Sequence, residues 1–343
     1  MMKRKVFHGA LGRRFPAARL ALCVILVTVT TGGLTTASSA CGGAIHHEIV
    51  DMAWGALDKP AYPGLATLLA NYHPATEAGA VFPDFGYGMP FDQEYWAHLA
   101  NDAHSPEFQR AYLETVRGIF RQPGNEDHLR TITFLFGVIG HNEADNPWHF
   151  DSGGVQSFLN AAMHIDENDH TSVEVGTDVF ANVEYGQGGH SDSWWTPLGA
   201  VRAAYLAIGH DVPEYQLEQG MLLLASAHTA IKAIGYPTYL AYLIDLSWSH
   251  NNLVSYPLGG MQDGAYHTAL AWQAAWDELS TYRTFLPAIY RDSAGSPGVR
   301  SQDGANPNAS AGQQALDGLR RRADAESMAP LMLLAQELLD EGV

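Results

Sequence analysis

Cysteine is nearly absent: the 343 residues contain two, Cys23 and Cys41. Cys23 falls in a segment that reads as a leader, so no internal disulfide can form and stability must come from packing and bound ions. No cysteine pair stands at metal-finger spacing, which excludes a structural thiolate zinc site. Positive charge is also scarce, with 19 Lys and Arg against 37 Asp and Glu, a net −18. A chain this acidic does not attract polyanions in general, and no nucleic-acid partner is expected. Strand-like alternation of useful length is missing, as is any internal repeat. The fold class is therefore all-α.

The first forty residues carry Lys3, Arg4, Lys5, Arg13, Arg14 and Arg19 and no acid. An apolar run over 20–29 follows, then Ser38-Ser39-Ala40, with small residues at −3 and −1. This is a signal-peptide pattern over 1–40, cleaved after Ala40; the apolar run is too short for a membrane anchor. The expected location is secreted or periplasmic. Without these six basic residues, 13 basic groups face 37 acidic ones, a balance of −24 over 41–343. That length can bury about three quarters of its unfolded surface in one core.

Helical periodicity is legible over 45–57, 61–72, 105–120, 201–208, 214–233, 238–248 and 265–286. Ser105-Pro106-Glu107 has a helix-start order, Ser at the N-cap and Pro at N1. Gly79-Ala-Val-Phe-Pro-Asp84-Phe-Gly-Tyr-Gly-Met-Pro reads as a loop. Residues 151–200 read as irregular, with one short helical piece near His164. A catalytic domain is expected over 41–291, a Ser/Gly/Asn/Pro-rich linker over 292–312 and a C-terminal helical segment over 313–343.

The most informative stretch is Phe134-Leu-Phe-Gly-Val-Ile-Gly-His141-Asn-Glu-Ala-Asp145-Asn-Pro-Trp-His149. His141 and Asp145 share a helix face at i, i+4. Pro147 is expected to break the helix, so that His149 emerges just beyond it. Such a pair alone also fits a surface contact or a satisfied buried histidine. His46, Asp84, His104, His170 and Glu174 add metal-capable groups at helix ends and in loops, the last two again at i, i+4. Histidine and carboxylate without cysteine pairs suit catalytic zinc.

The motifs Cys41-Gly-x3-His46-x-Glu, Gly79-x-Val-Phe-Pro-Asp84, Phe134-Leu-Phe-Gly-x3-His141-x3-Asp145-x2-Trp148-His149 and Tyr256-x-Leu-Gly-Gly-Met-Gln-Asp263 occur in this order. Together they resemble the zinc-dependent phospholipase C/D family, in particular catalytic domains acting on glycosylphosphatidylinositol. The resemblance covers most of 41–290 and implies a multi-helix bundle holding three zinc ions. It implies Asp84, His104 and His141 at one zinc and Asp145 bridging to a second. The second would take His46 and the amino and carbonyl groups of Cys41. The third would take His149, His170 and Glu174. His98 is the alternative to His104, and His47 to His46. Asp178 reads either as support for the third zinc or as a solvated acid.

This resemblance implies hydrolysis of a phospholipid or glycosylphosphatidylinositol by metal-activated water, with Asp84 catalytic. Rival readings are a single-strand zinc nuclease and a non-catalytic zinc-stabilised lipid-binding protein. Trp194-Trp195, in a Gly/Ser/Asp-rich stretch, offers rings for peripheral contact with a membrane surface; Trp248, Trp272 and Trp276 read as core.

Overall fold

The computed structural model describes residues 42–87, 89, 92–120, 125–186, 194–279 and 286–290. The expected leader, linker and C-terminal segment lie outside these residues, as does Cys41. The α-helices are α1 (Gly43–Ala56), α2 (Pro63–Asn71), α3 (His73–Val81), α4 (Gln93–Ala103), α5 (Pro106–Phe120) and α6 (Glu126–His149). They continue as α7 (Phe158–Ile165), α8 (His170–Glu184), α9 (Leu198–Ala207), α10 (Glu214–Asp245), α11 (Ser247–Asn252) and α12 (Met261–Glu278). The described residues contain no strand, only an isolated bridge between Ser152 and Val155. The all-α expectation holds.

Helix α6 is the axis. Asn125 caps its start by accepting from the His128 amide at 2.9 Å, and Glu126 and Asp127 sit at the positive end of the helix dipole. From Thr131 to His141 every residue is buried. One face receives α3 at backbone contact. A Cβ on Gly79 would lie 2.1 Å from the Phe134 carbonyl oxygen, and one on Gly137 would lie 2.1 Å from that of Thr76. The two glycines thus let the helices touch where any side chain would hold them apart. Helix α12 covers another face, where the Trp272 indole donates to the Phe136 carbonyl at 2.6 Å. Thr268 donates to that of Gly140 at 3.2 Å.

Four sequence expectations change. Helix α6 runs through Pro147 to His149. Proline has a helical φ and deletes only one backbone bond, here in the last turn, and Phe150 N still bonds the Asn146 carbonyl at 3.1 Å. His149 is therefore a helix residue rather than one beyond a break. Pro147 and Trp148 are also clamped by Gly259 (φ +94), whose absent side chain admits the Pro147 carbonyl. Helix α10 likewise continues through Pro237 as one 32-residue element. The expected loop at 79–90 begins as the end of α3 and a 3₁₀ turn, Phe82–Gly86. Finally, part of the irregular 151–200 stretch is α8, capped by Asp169, which accepts from the Ser172 amide. Its buried face carries Glu174, Thr177, Asp178 and Asn182 beside Val173 and Phe180. Polar groups turned inward erase the amphipathic pattern that marks a helix in sequence.

Candidate metal centre

The glycine contact between α3 and α6 places the site. Below it, the 3₁₀ turn presents Asp84 to His141, and the His141 ring lies against the Ala80 carbonyl, Nδ1 to oxygen 2.7 Å. A carbonyl only accepts, so His141 Nδ1 carries the proton and Nε2 holds a lone pair. His104, at the C-terminal end of α4, repeats the arrangement: its Nδ1 is 2.7 Å from the Ala100 carbonyl. The two Nε2 atoms then face each other at 2.9 Å.

Asp145 sits between the groups. Its Oδ2 lies 3.3 Å from His104 Nε2 and 3.4 Å from His141 Nε2. The other oxygen, Oδ1, lies 3.4 Å from His46 Nε2 and 3.9 Å from His149 Nε2. One carboxylate thus addresses two separate sets of nitrogens. Asp84 Oδ1 is 3.4 Å from His104 Nε2 and 3.7 Å from His141 Nε2, yet it is buried without a hydrogen bond. His46 is fully buried on α1 and stacks on His141 at 3.7 Å between centroids. At the end of α6, His149 Nε2 is 3.8 Å from Glu174 Oε1, which also receives His170 Nε2 at 2.7 Å.

These separations test the fit of a metal. Donors around a tetrahedral zinc, each at about 2.0–2.1 Å, lie about 3.3 Å apart. Several gaps here are near that edge, and the Nε2 atoms of His104 and His141, 2.9 Å apart, need a proton or a metal cation between them. Three groups of donors lie mutually within 4.8 Å: His46, His141 and Asp145; Asp84, His104 and His141; His149, His170 and Glu174. The donor set fits zinc.

Electrostatics follow from the same packing. Burial lowers the pKa of His46, and His141 beside it lowers it further. Burial also lowers His149. At His104 burial acts downward, but Asp145 and Asp84 outweigh it and carry the value up to about 10. For Asp145 burial acts upward, while His141, His104 and His46 hold the carboxyl well below its usual range. His170 is raised by its hydrogen bond to Glu174. An ionised carboxylate among imidazoles is the ligating state of such a site, and an entering cation takes the place of a proton at His104.

The structure brings together every described candidate: His46, Asp84, His104, His141, Asp145, His149, His170 and Glu174. His98 is elsewhere, paired with Asp102 and His210. His47 turns from the cluster toward Trp194 and His228, with ring centroids 6.0 and 5.4 Å away. Trp194 and Trp195 are partly buried rather than exposed, packed on the core, with Arg130 stacked on the Trp195 ring at 4.1 Å. Asp178 is no solvated acid. It is buried and accepts from the Ala44 amide at 2.6 Å and the Ile45 amide at 3.2 Å, fixing the start of α1. A Cβ on Gly42 would strike it at 2.2 Å, which explains the glycine after Cys41. Sequence reading missed this anchor because Asp178 and Gly42 are joined only by the fold.

Residues 45–207 match the family described as Zinc dependent phospholipase C. Over these residues the chain is similar to that family. All eight described donors, from His46 to Glu174, fall within the matched span. The chain is also similar to the phosphatidylinositol-glycan-specific phospholipase D of Dictyostelium discoideum, 25% identical over 259 residues, or 74% of this chain and 26% of that protein. That of Bos taurus is 28% identical over 266 residues, 73% of this chain and 30% of its own length. That of Rattus norvegicus is 30% identical over 167 residues, 47% and 20% respectively. The chain thus spans less than a third of the length of these curated relatives. No solved structure matches it.

Proposed function

We propose that the chain is an exported zinc-dependent phosphodiester hydrolase of the phospholipase C/D type, released by cleavage after Ala40. Its substrate is a phospholipid or a glycosylphosphatidylinositol, the class named in its relatives. One observation carries the reading: Asp145 turns Oδ2 to His104 and His141 and Oδ1 to His46 and His149. A carboxylate so shared supports a multinuclear centre.

Three zinc ions would be held. Asp84, His104, His141 and Asp145 would hold the first. Asp145, His46 and, as the resemblance implies, the α-amino and carbonyl groups of Cys41 would hold the second. His149, His170 and Glu174 would hold the third. Zinc in such a cluster lowers the pKa of bound water and neutralises phosphoryl oxygens. Asp84 is the catalytic carboxylate: turned toward His104 and His141, it would orient the attacking water and accept its proton. Ala80 and Ala100 hold the rings of His141 and His104 by their carbonyls and keep each Nε2 directed inward.

The test is turnover of phosphatidylcholine, a glycosylphosphatidylinositol-linked protein and single-stranded DNA, with and without chelator, alongside zinc analysis. Lipid hydrolysis that chelation abolishes and about three zinc per chain are expected, and the released product identifies the bond cleaved. Preference for DNA would make the protein a nuclease, and zinc without turnover would make it a binding protein. One added residue before Cys41 should abolish activity by converting its amine to an amide, whereas Cys41→Ser should retain much of it.

A further inference from the structure

Away from the inner centre, two histidines and an aspartate meet at the end of α4. His98 and Asp102 stand at i, i+4 on that helix. His210 comes from the connection between α9 and α10, turned toward α4 by Gly209, whose φ of +97 favours glycine. His210 Nε2 lies 3.1 Å from Asp102 Oδ2, and His98 Nε2 lies 3.6 Å from the same oxygen. The two rings meet edge to face at 5.2 Å. One donor atom from each residue falls within 4.8 Å of the others.

We propose that His98, Asp102 and His210 form a peripheral zinc site, distinct from the inner centre and independent of the catalytic reading. The separations of 3.1 and 3.6 Å bracket the edge of about 3.3 Å between donors on a tetrahedral zinc. Asp102 Oδ2 is buried and, despite the close approach of His210, has no hydrogen bond. Two imidazoles pointed at one carboxylate oxygen without N–H···O geometry are arranged as donors to a common cation. Three protein ligands leave a position for water, and the partial exposure of all three side chains gives zinc a route in.

The scaffold for these ligands is already fixed. Tyr205 OH donates to the Leu99 carbonyl at 2.7 Å and ties α9 to α4. The His210 amide donates to the Tyr205 carbonyl at 2.9 Å. Zinc here clamps the 208–213 connection to the last turn of α4, the turn whose Ala100 carbonyl holds the His104 ring. The outer ion is thus a structural brace for the helix end that presents one inner ligand.

The experiment counts metal in the full chain. Zinc-loaded wild type, His98→Gln, His210→Gln and a His267→Gln control are equilibrated at graded free zinc, and bound zinc is measured. Wild type and the control should bind one equivalent more than either His98→Gln or His210→Gln at micromolar free zinc. Zinc should also slow hydrogen exchange across 208–213 in wild type and not in these two variants. Equal stoichiometry in all four proteins overturns the proposal, as does an extra equivalent seen only at millimolar zinc. Loss of more than one equivalent in His210→Gln overturns it too, because it assigns that histidine to the inner centre. The count is a difference between variants, so it stands whether or not the inner centre hydrolyses phosphodiesters.

Discussion

The deep and outer parts of the inner centre use the same side chains in opposite ways. Around Asp84, His104 and His141, each Nδ1 is committed to a carbonyl and the two Nε2 atoms face each other at 2.9 Å, where a proton or a cation must stand between them. Near the end of α6, His170 and Glu174 already satisfy each other at 2.7 Å. The deep group has little to gain without a cation, whereas the outer group can rest as an ion pair. Burial accounts for the contrast: His141 is fully buried, and the His170 side chain is 38% exposed. Desolvated donors without partners cost far more than solvated ones. The deep donors should therefore hold metal most tightly, and the outer set should exchange first.

The largest effect is expected at Asp145, which both groups approach. Asp145→Ala should remove about two zinc equivalents together with turnover, while far-ultraviolet circular dichroism stays helical. Loss of one equivalent with activity retained would break the shared-carboxylate reading. Next, Asp84→Asn should leave two or more zinc ions bound and lower kcat by about 10²–10⁴, the usual scale of general acid–base catalysis. Glu174→Gln should remove a single equivalent, and competition with a chelator should show that ion leaving wild type first. If the deep zinc leaves first, the comparison is inverted.

A structural change follows in size. Gly137→Ala forces a Cβ to within 2.1 Å of the Thr76 carbonyl. Overpacking of this kind costs about 1–3 kcal/mol, and separating α3 from α6 should also weaken zinc binding through Asp84. Denaturant unfolding and zinc analysis check both.

The smallest effect belongs to His267 and Asp263, an i, i+4 pair on α12 outside either group. The His267 pKa is raised by its hydrogen bond to Asp263. A raised folded value means that the pair's stabilisation is complete below the unfolded histidine pKa of about 6.5 and lost as pH rises through the folded value. The Tm difference between wild type and His267→Gln should accordingly shrink from pH 5.5 to pH 9. A difference that does not change with pH would show that the pairing contributes no proton-linked stability.

Much of this was readable before folding. His141, Asp145, His170 and Glu174 announced themselves by i, i+4 spacing, a local property of any helix. His46 and Asp84 were legible only through their motifs, and His104 only through the family resemblance, because no spacing rule links residues on different helices. Trp194 and Trp195 show the limit of composition: a polar neighbourhood in sequence said nothing of Arg130 and the core beneath the rings. Helix α8 was hidden because its inward face is polar, with Glu174 turned to the metal centre and Asp178 to the start of α1.

The sequence by itself determined the helical class, the acidic balance, the supply of histidine and carboxylate, and the i, i+4 spacing of His141 with Asp145 and of His170 with Glu174. These depend on composition and short-range geometry. Only the tertiary structure decided which oxygen of Asp145 faces which imidazole, that Asp178 anchors α1, and that His98 belongs with His210 rather than His141. Each depends on backbones coming together across long separations, where contacts such as Gly79 against Gly137 set distances that no neighbouring residues encode.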